Sequence, residues 1–285
     1  MTPTVAAALG QARARGLALL DAQLILARVL ATTRTALIAH DERLLAAEEL
    51  ARWSTWLERR AAGEPLAYLF GEKEFHGLML EVTPDVLVPR PETELVVEWA
   101  SALLGARARE RGAGGHAAPP HVLDLGTGSG AIALALKHLH PEAHLVASDA
   151  SGTALTIAGR NAARLGLAIE LVEGSWWEPF AGRRFDLAVA NPPYVAEGDP
   201  HLAALRHEPR GALTAGADGL DALRAIAAGA PACLSSGAWL VLEHGFDQAG
   251  AVRDLLADAG FAAVETRRDL AGLERATAGR LQGTV

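Results

Sequence analysis

The stretch His121-Val-Leu-Asp-Leu-Gly-Thr-Gly-Ser-Gly-Ala-Ile-Ala-Leu-Ala-Leu136 decides the fold. Its first five residues form a short apolar run broken by one acid, and from Ala131 the apolar residues continue without β-branched clustering, as a helix would. Between them lie Gly126, Gly128 and Gly130. Glycine tolerates left-handed backbone angles and lets a ligand approach the main chain, while the following helix start offers unpaired N–H groups. Outward from this unit, short apolar runs alternate with helical patterns, which predicts an α/β fold: a doubly wound, mostly parallel sheet with helices on both faces. The expected strands are His121–Leu125, His144–Ser148, Ile169–Val172, Phe185–Ala190 and Ala238–Glu243, with a late antiparallel pair at Ala262–Arg267 and Ala276–Leu281. The expected helices are Ala131–His140, Thr153–Leu165, Leu220–Leu234 and Gln248–Ala259.

The glycine loop alone leaves its ligand open. Gly126, Gly128 and Ala131 satisfy a relaxed dinucleotide fingerprint, and Asp149 at the end of the second strand stands where an acid would hold ribose hydroxyls. A nicotinamide cofactor and S-adenosylmethionine (AdoMet) both contain adenosine and both suit it. A phosphate-binding P-loop is excluded, because no Gly-Lys-Ser/Thr follows.

Phe185-Asp-Leu-Ala-Val-Ala-Asn-Pro-Pro-Tyr194 separates the two. In a doubly wound sheet the first and fourth strands adjoin, so Asn191–Tyr194 should share a crevice with the glycine loop. The two prolines hold the exit extended and leave carbonyls free to face a ligand. Hydride transfer has no evident need for such a mouth. Methylation of a planar nitrogen does: the Asn191 oxygen and Pro192 carbonyl can accept its two N–H groups, aiming the nitrogen and stabilising the charge it gains. Tyr194 can pack against the planar group.

The rest of the chain sets the domain plan. Residues 1–62 read as a small helical bundle, with Leu17, Leu20, Leu24, Ala27 and Leu30 at three- and four-residue steps and Trp53, Trp56 and Leu57 in a later set. Residues 63–90 read as a β-hairpin and linker, with glycine at the turn of Gly71–Thr83 and Pro89 and Pro91 keeping the exit extended. Residues 91–285 form the α/β domain; Thr93 is placed to cap a helix through Leu104, and Gly105–Pro120 reads as a surface loop. The cluster Arg90, Glu92 and Glu94 is either a braced linker or a site wall.

The net charge of −8 disfavours binding dominated by a phosphate backbone. No apolar run is long enough for a membrane span and no signal-peptide pattern opens the chain, so the cytoplasm is expected. Cys233 is the single cysteine and His138 and His140 lack ligand partners, so no metal is expected.

Asp124–Gly130 together with Asn191-Pro-Pro-Tyr194 resembles the AdoMet-dependent amino-group methyltransferases. Further stretches resemble one branch, the HemK/PrmC family of peptide chain release factor glutamine methyltransferases: Glu64-Pro-Leu-Ala-Tyr68 with Gly71, Phe75 and Gly77-Leu78; Val88-Pro-Arg-Pro-Glu-Thr-Glu94; Glu208-Pro-Arg-Gly-Ala-Leu213; Asp218-Gly-Leu220; and Glu243-His-Gly245. The resemblance implies a class I methyltransferase fold of Rossmann type behind the helical bundle. It implies AdoMet against Gly126, Thr127, Gly128, Ser129 and Gly130, its ribose on Asp149, its adenine beside Trp176 and Asn191 close by. It also implies a substrate glutamine held by Asn191, Pro192, Pro193 and Tyr194. The family commonly carries an acid where Ser175 stands, and Trp177 competes with Trp176 for the adenine. The implied reaction is N5-methylation of the glutamine in the Gly-Gly-Gln motif of class I release factors, engaged in part by the helical bundle. The alternative is adenine-N6 methylation in DNA, which calls for a basic recognition region that this acidic chain lacks.

Overall fold

The computed structural model describes residues 2–112 and 118–283. Contacts divide the chain into two compact units, with the division between Glu72 and Lys73.

The first unit is helical: α1 (Val5–Ala14), α2 (Leu19–Val29), α3 (Arg34–Ala39), α4 (Ala47–Ala61) and α5 (Leu66–Phe70). Thr4 and Thr33 cap α1 and α3 by accepting from Ala7 N and Ala36 N, both at 3.2 Å. Val5, Ile25, Leu26, Trp53, Leu57 and Leu69 are among the side chains of its core. Because α2 touches α1, α3, α4 and α5, it buries more than one stripe: Ile25, Leu26 and Val29 are covered while Leu20, expected on the apolar face, is 49% exposed. The unit extends beyond residue 62 because Leu69 on α5 belongs to the same core.

The second unit opens with the hairpin β1 (Glu72–Phe75) and β2 (Leu78–Glu81), whose turn residues His76 and Gly77 both have positive φ, 49° and 78°. Paired left-handed residues match the right-handed twist of the strands. Then come α6 (Glu94–Gly112), β3 (His121–Leu125), α7 (Ala131–Leu139), β4 (His144–Asp149), α8 (Gly152–Leu165), β5 (Glu170–Glu173), β6 (Phe185–Ala190), α9 (Asp221–Cys233), β7 (Leu234–Glu243), α10 (Ala249–Asp258), β8 (Phe261–Arg268) and β9 (Glu274–Leu281).

The seven strands lie in the order β5-β4-β3-β6-β7-β9-β8. Strands β3 to β7 are parallel, and β9 runs antiparallel between β7 and β8. The chain winds outward from β3 in one direction and returns to β6 on its other side, so β3 and β6 flank the switch point, as expected. Alternate residues serve opposite faces: Val122, Leu187 and Val189 pack with α6 and α7, and Leu123, Leu125, Ala188 and Ala190 pack with α9 and α10.

Two expectations are corrected. The stretch from Gly105 is not a loop as far as Gly112, because α6 continues to that residue. Ala and Arg there are strong helix formers, and Arg107 pairs with Asp186. Residues 113–117 of the expected loop lie outside the described residues. Thr93 also differs: it ends a 3-10 turn (Pro91–Thr93), and its hydroxyl accepts from Asn191 at 3.0 Å.

Candidate active site

A cavity of about 410 Å3 sits at the C-terminal ends of β3, β4 and β6, where a doubly wound sheet places ligands. Its base is the loop between β3 and α7. Gly126 and Gly128 line it with φ of 71° and 56°, conformations that L side chains rarely adopt. A Cβ at Gly126 would lie 3.4 Å from the Trp176 ring, whereas one at Gly128 would project into open space. Thr127 and Ser129 also line the cavity. Gly130 does not: its φ is 85°, and a Cβ would meet Leu134 Cδ1 at 3.0 Å and Ala158 Cβ at 3.3 Å. That glycine lets α7 and α8 approach each other.

Asp124 braces the loop from within β3. Its Oδ2 accepts from Thr127 Oγ1 at 2.6 Å and from Ala133 N at 3.1 Å, tying the loop to the first turn of α7. The side chain is fully buried, and burial pushes its pKa up to about 7 despite those two bonds.

Asp149 ends β4 on the cavity wall. Its two oxygens accept from Gly128 N and Ser151 N, each at 2.9 Å, which leaves further lone pairs for a ligand's hydroxyls. The two tryptophans separate. Trp176 lines the cavity with a strained φ of 44°; Trp177 turns into the core and donates from Nε1 to Ile226 O at 2.9 Å.

The exit of β6 forms the opposite wall. Asn191 and Pro193 line the cavity, while Pro192 is buried and Tyr194 points away from the cavity toward Glu243. Asn191 Nδ2 donates to Thr93 Oγ1, and among the described residues its Oδ1 has no partner. Tyr194 O accepts from Gln248 Nε2 at 3.0 Å, and a Cβ at Gly219 would lie 2.3 Å from that same oxygen. The exit is therefore packed rigidly from behind.

Several lining residues were given no role by the sequence, although Pro89, Pro209, Gly211 and Ala212 stand in stretches that carry the family resemblance. Asp85, Val86, Leu87 and Pro89 from the linker, and Pro209, Gly211 and Ala212 from the segment before α9, complete the walls. The two segments are joined by Glu208, 6% exposed, which pairs with Arg90 and accepts from Val88 N at 3.1 Å. Glu94 Oε1 accepts from His76 N at 3.0 Å. Arg90 and Glu94 thus brace the wall from behind.

Glu243, at the end of β7, is the least expected member. It is 1% exposed, its Oε1 accepts from Tyr194 Oη at 3.3 Å, and its Oε2 has no partner among the described residues. Burial raises its pKa to about 7, against stabilisation by Thr93, Arg275 and Tyr194. Burial and the Glu243 charge together raise the Tyr194 pKa, so the phenol stays protonated and donates.

The lining suits an adenosine-bearing ligand: open space over Gly128, a carboxylate with spare acceptors and an aromatic face at one end. Among the described residues no group of three or more His, Cys, Asp or Glu could hold a metal ion, and no helix is long and apolar enough to cross a membrane.

The chain matches two family models, the PrmC N-terminal domain over residues 5–71 and the methyltransferase small domain over residues 100–212. It is 49% identical to the release factor glutamine methyltransferase of Burkholderia pseudomallei, covering 99% of this chain and 98% of that one. It is 48% identical to the enzyme of the same name from Bordetella pertussis, with 93% and 96% covered. Among solved structures, a methyltransferase from Pyrococcus furiosus superposes with a TM-score of 0.54 at 16% identity, over 81% of this chain and 100% of that one, a likeness of fold.

Proposed function

We propose how this site works from one premise: the chain belongs to the release factor glutamine methyltransferase family. It is an enzyme that methylates the side-chain nitrogen N5 of a glutamine in peptide chain release factors. The glutamine is that of the Gly-Gly-Gln motif of class I release factors, and the activity belongs to the cytoplasm, where those factors work. DNA adenine is not favoured as substrate. One observation carries the residue assignments: Asn191 and Pro193 line the same cavity as Gly126, Gly128 and Asp149.

When bound, AdoMet supplies the methyl group as an electrophilic carbon on a sulfonium centre. Gly126, Thr127, Gly128 and Ser129 form the bed that would hold it, with Gly130 setting the loop's path behind them. Asp149 takes the ribose hydroxyls with the lone pairs left over from Gly128 N and Ser151 N. Trp176 gives the adenine an apolar face.

Asn191 and the Pro192 carbonyl orient the substrate. An amide nitrogen is a poor nucleophile because its lone pair is delocalised, and it becomes cationic as it takes up a methyl group. Asn191 Oδ1 and the Pro192 oxygen accept its two N–H groups, which fixes its direction and stabilises the developing charge. The rigid Pro192-Pro193 exit keeps these acceptors in place without reorganisation, and Pro193 walls the carboxamide, while Tyr194 braces the exit from behind through Glu243. The nitrogen sheds one proton to water, because once cationic it is acidic and no strong base is needed.

The test is transfer of labelled methyl from AdoMet to a purified class I release factor. Transfer should be stoichiometric and should vanish when the Gly-Gly-Gln glutamine is replaced by alanine. Undiminished transfer to that variant would overturn the assignment of substrate.

A further inference from the structure

Phe246 stands in water beside the exit of β6, 59% exposed between the buried Gly245 and the half-buried Gln248. Turn tips favour glycine and small polar residues, and a large ring left in water there adds nothing to the fold. A lone apolar residue on a surface needs no explanation. Two features set Phe246 apart.

The turn that carries it, between β7 and α10, is locked to the catalytic mouth. Gln248 N donates to Gly245 O and Gly245 N donates to Gln248 Oε1, both at 2.9 Å, so backbone and side chain close the turn together. Gln248 Nε2 also donates to Tyr194 O at 3.0 Å. One amide thus fixes the turn and the Asn191–Tyr194 exit in a single frame, with Phe246 two residues away from it. The turn is closely packed, since a Cβ on Gly245 would meet Gln248 Oε1 at 3.0 Å and Asp247 Oδ1 at 3.1 Å.

Phe246 also has apolar company on its edge of the sheet. Strand β9 runs antiparallel to β7, so the turn between β8 and β9 leaves the sheet where β7 ends, beside the bond from His244 N to Arg275 O at 3.0 Å. Leu270 and Leu273 in that turn are both exposed. The charges there are largely spent on each other: Arg268 pairs with Glu274, and Arg275 with Asp269.

The reaction says what covers this edge. The glutamine is carried by a protein, and a side chain that reaches Asn191 brings the surface around it against the rim of the mouth. We propose that Phe246 is a docking residue for the release factor: its ring packs on an apolar surface flanking the factor's glutamine loop. The proposal rests on placing the substrate carboxamide at Asn191. An aromatic ring on a preformed turn suits the task, because it buries a large area while losing the freedom of only two side-chain bonds.

A contact made equally in the bound and the reacting complex lowers KM and leaves kcat alone. The experiment uses the full-length enzyme, AdoMet and a class I release factor. Phe246→Ala should raise the KM for release factor by ~10-fold or more, with kcat and AdoMet affinity within about twofold of wild type and the thermal melt unchanged. Phe246→Tyr, which keeps the ring, should recover most of that loss. Leu139→Ser removes an exposed apolar side chain at the far end of α7, on the opposite edge of the sheet, and should leave KM unchanged. Hydroxyl-radical footprinting of the wild type should show Phe246 oxidised in the free enzyme and protected by release factor, which decides the matter even if the alanine variant does not fold. A Phe246→Ala enzyme with KM within about twofold of wild type, or one that loses kcat or AdoMet affinity instead, would overturn the proposal. So would a ring that stays open to oxidation in the complex, or one covered by a second copy of the enzyme in a dimer that Phe246→Ala breaks. Wild-type enzyme that transfers no methyl to the release factor, or Asn191→Ala with undiminished kcat, would overturn the parent reading; an active wild type with an indifferent Phe246→Ala overturns this inference alone.

Discussion

Asn161 and Glu81 exchange two hydrogen bonds: Asn161 Oδ1 accepts from Glu81 N at 2.6 Å, and Asn161 Nδ2 donates to Glu81 O at 3.0 Å. The same Nδ2 donates to Ser129 O at 2.9 Å. A single fully buried amide on α8 therefore joins the hairpin to the glycine loop. Asn161→Ala strands three backbone groups away from water, and each buried polar group left unsatisfied costs about 1–3 kcal/mol. The expected loss is about 3 kcal/mol, read as a lower urea midpoint at unchanged slope. AdoMet affinity should fall too, because Ser129 lines the cavity.

Gly128 and Gly130 lie two residues apart, both with positive φ, but only Gly128 faces the cavity. Alanine at either position strains the backbone by about 1–2 kcal/mol. At Gly130 the new methyl also presses on Leu134 and Ala158 at 3.0 and 3.3 Å, so Gly130→Ala should be the more destabilising in a thermal melt. At Gly128 the methyl enters open space that AdoMet would occupy. Gly128→Ala should therefore lose more AdoMet affinity than stability, by ~10-fold or more in calorimetric titration.

These contrasts show what a linear reading can and cannot reach. The strand, glycine loop and helix from His121 to Leu139 were legible because turn chemistry and apolar pattern agree along one stretch. The approach of Asn191 to the loop was legible because parallel topology dictates which strand ends meet. The end of α6 was not, since Ala-Arg-rich sequence without an apolar period resembles a loop until Arg107 finds Asp186. Trp176 and Trp177 are chemically identical neighbours, and only backbone geometry sends one to the cavity and the other to the core. Glu243 and Glu208 are single acids whose significance comes from partners far along the chain, Tyr194 and Arg90. Both stand in stretches that carry the family resemblance, but no local spacing assigns them these partners.

Asp124 predicts a pH dependence of stability. Its folded pKa of about 7 lies above the value near 3.9 expected for an unfolded chain. A raised folded pKa means that the folded state holds its proton where the unfolded state has lost it. The stabilising contribution is complete below about pH 4 and is lost as pH rises toward 7, beyond which it is constant. Glu243 adds a contribution of the same sign over the same interval. Asp124→Asn removes one of the two titrations, so the fall in unfolding free energy between pH 4 and 7 should become shallower by up to one proton's linkage. Urea titrations at several pH values measure it; an unchanged slope would mean that Asp124 stays ionised in the folded enzyme.

Asn191→Ala separates binding from chemistry. Nδ2 is tied to Thr93 and Oδ1 has no protein partner among the described residues, so removing the side chain takes away an acceptor and one hydrogen bond to the Thr93 hydroxyl. Stability should change by less than about 1 kcal/mol. The glycine loop, Asp149 and Trp176 are untouched, so AdoMet affinity should stay within ~3-fold of wild type. In the role proposed for Asn191, what is lost is an oxygen aimed at a nitrogen as it becomes cationic, an interaction stronger in the transition state than in the ground state. Loss of one such preorganised partner lowers turnover by ~100- to 1000-fold. Single-turnover methyl transfer at saturating AdoMet, with release factor varied, reads this directly: kcat should fall far more than KM rises. A variant with normal kcat and raised KM would place Asn191 in substrate docking instead of transition-state stabilisation.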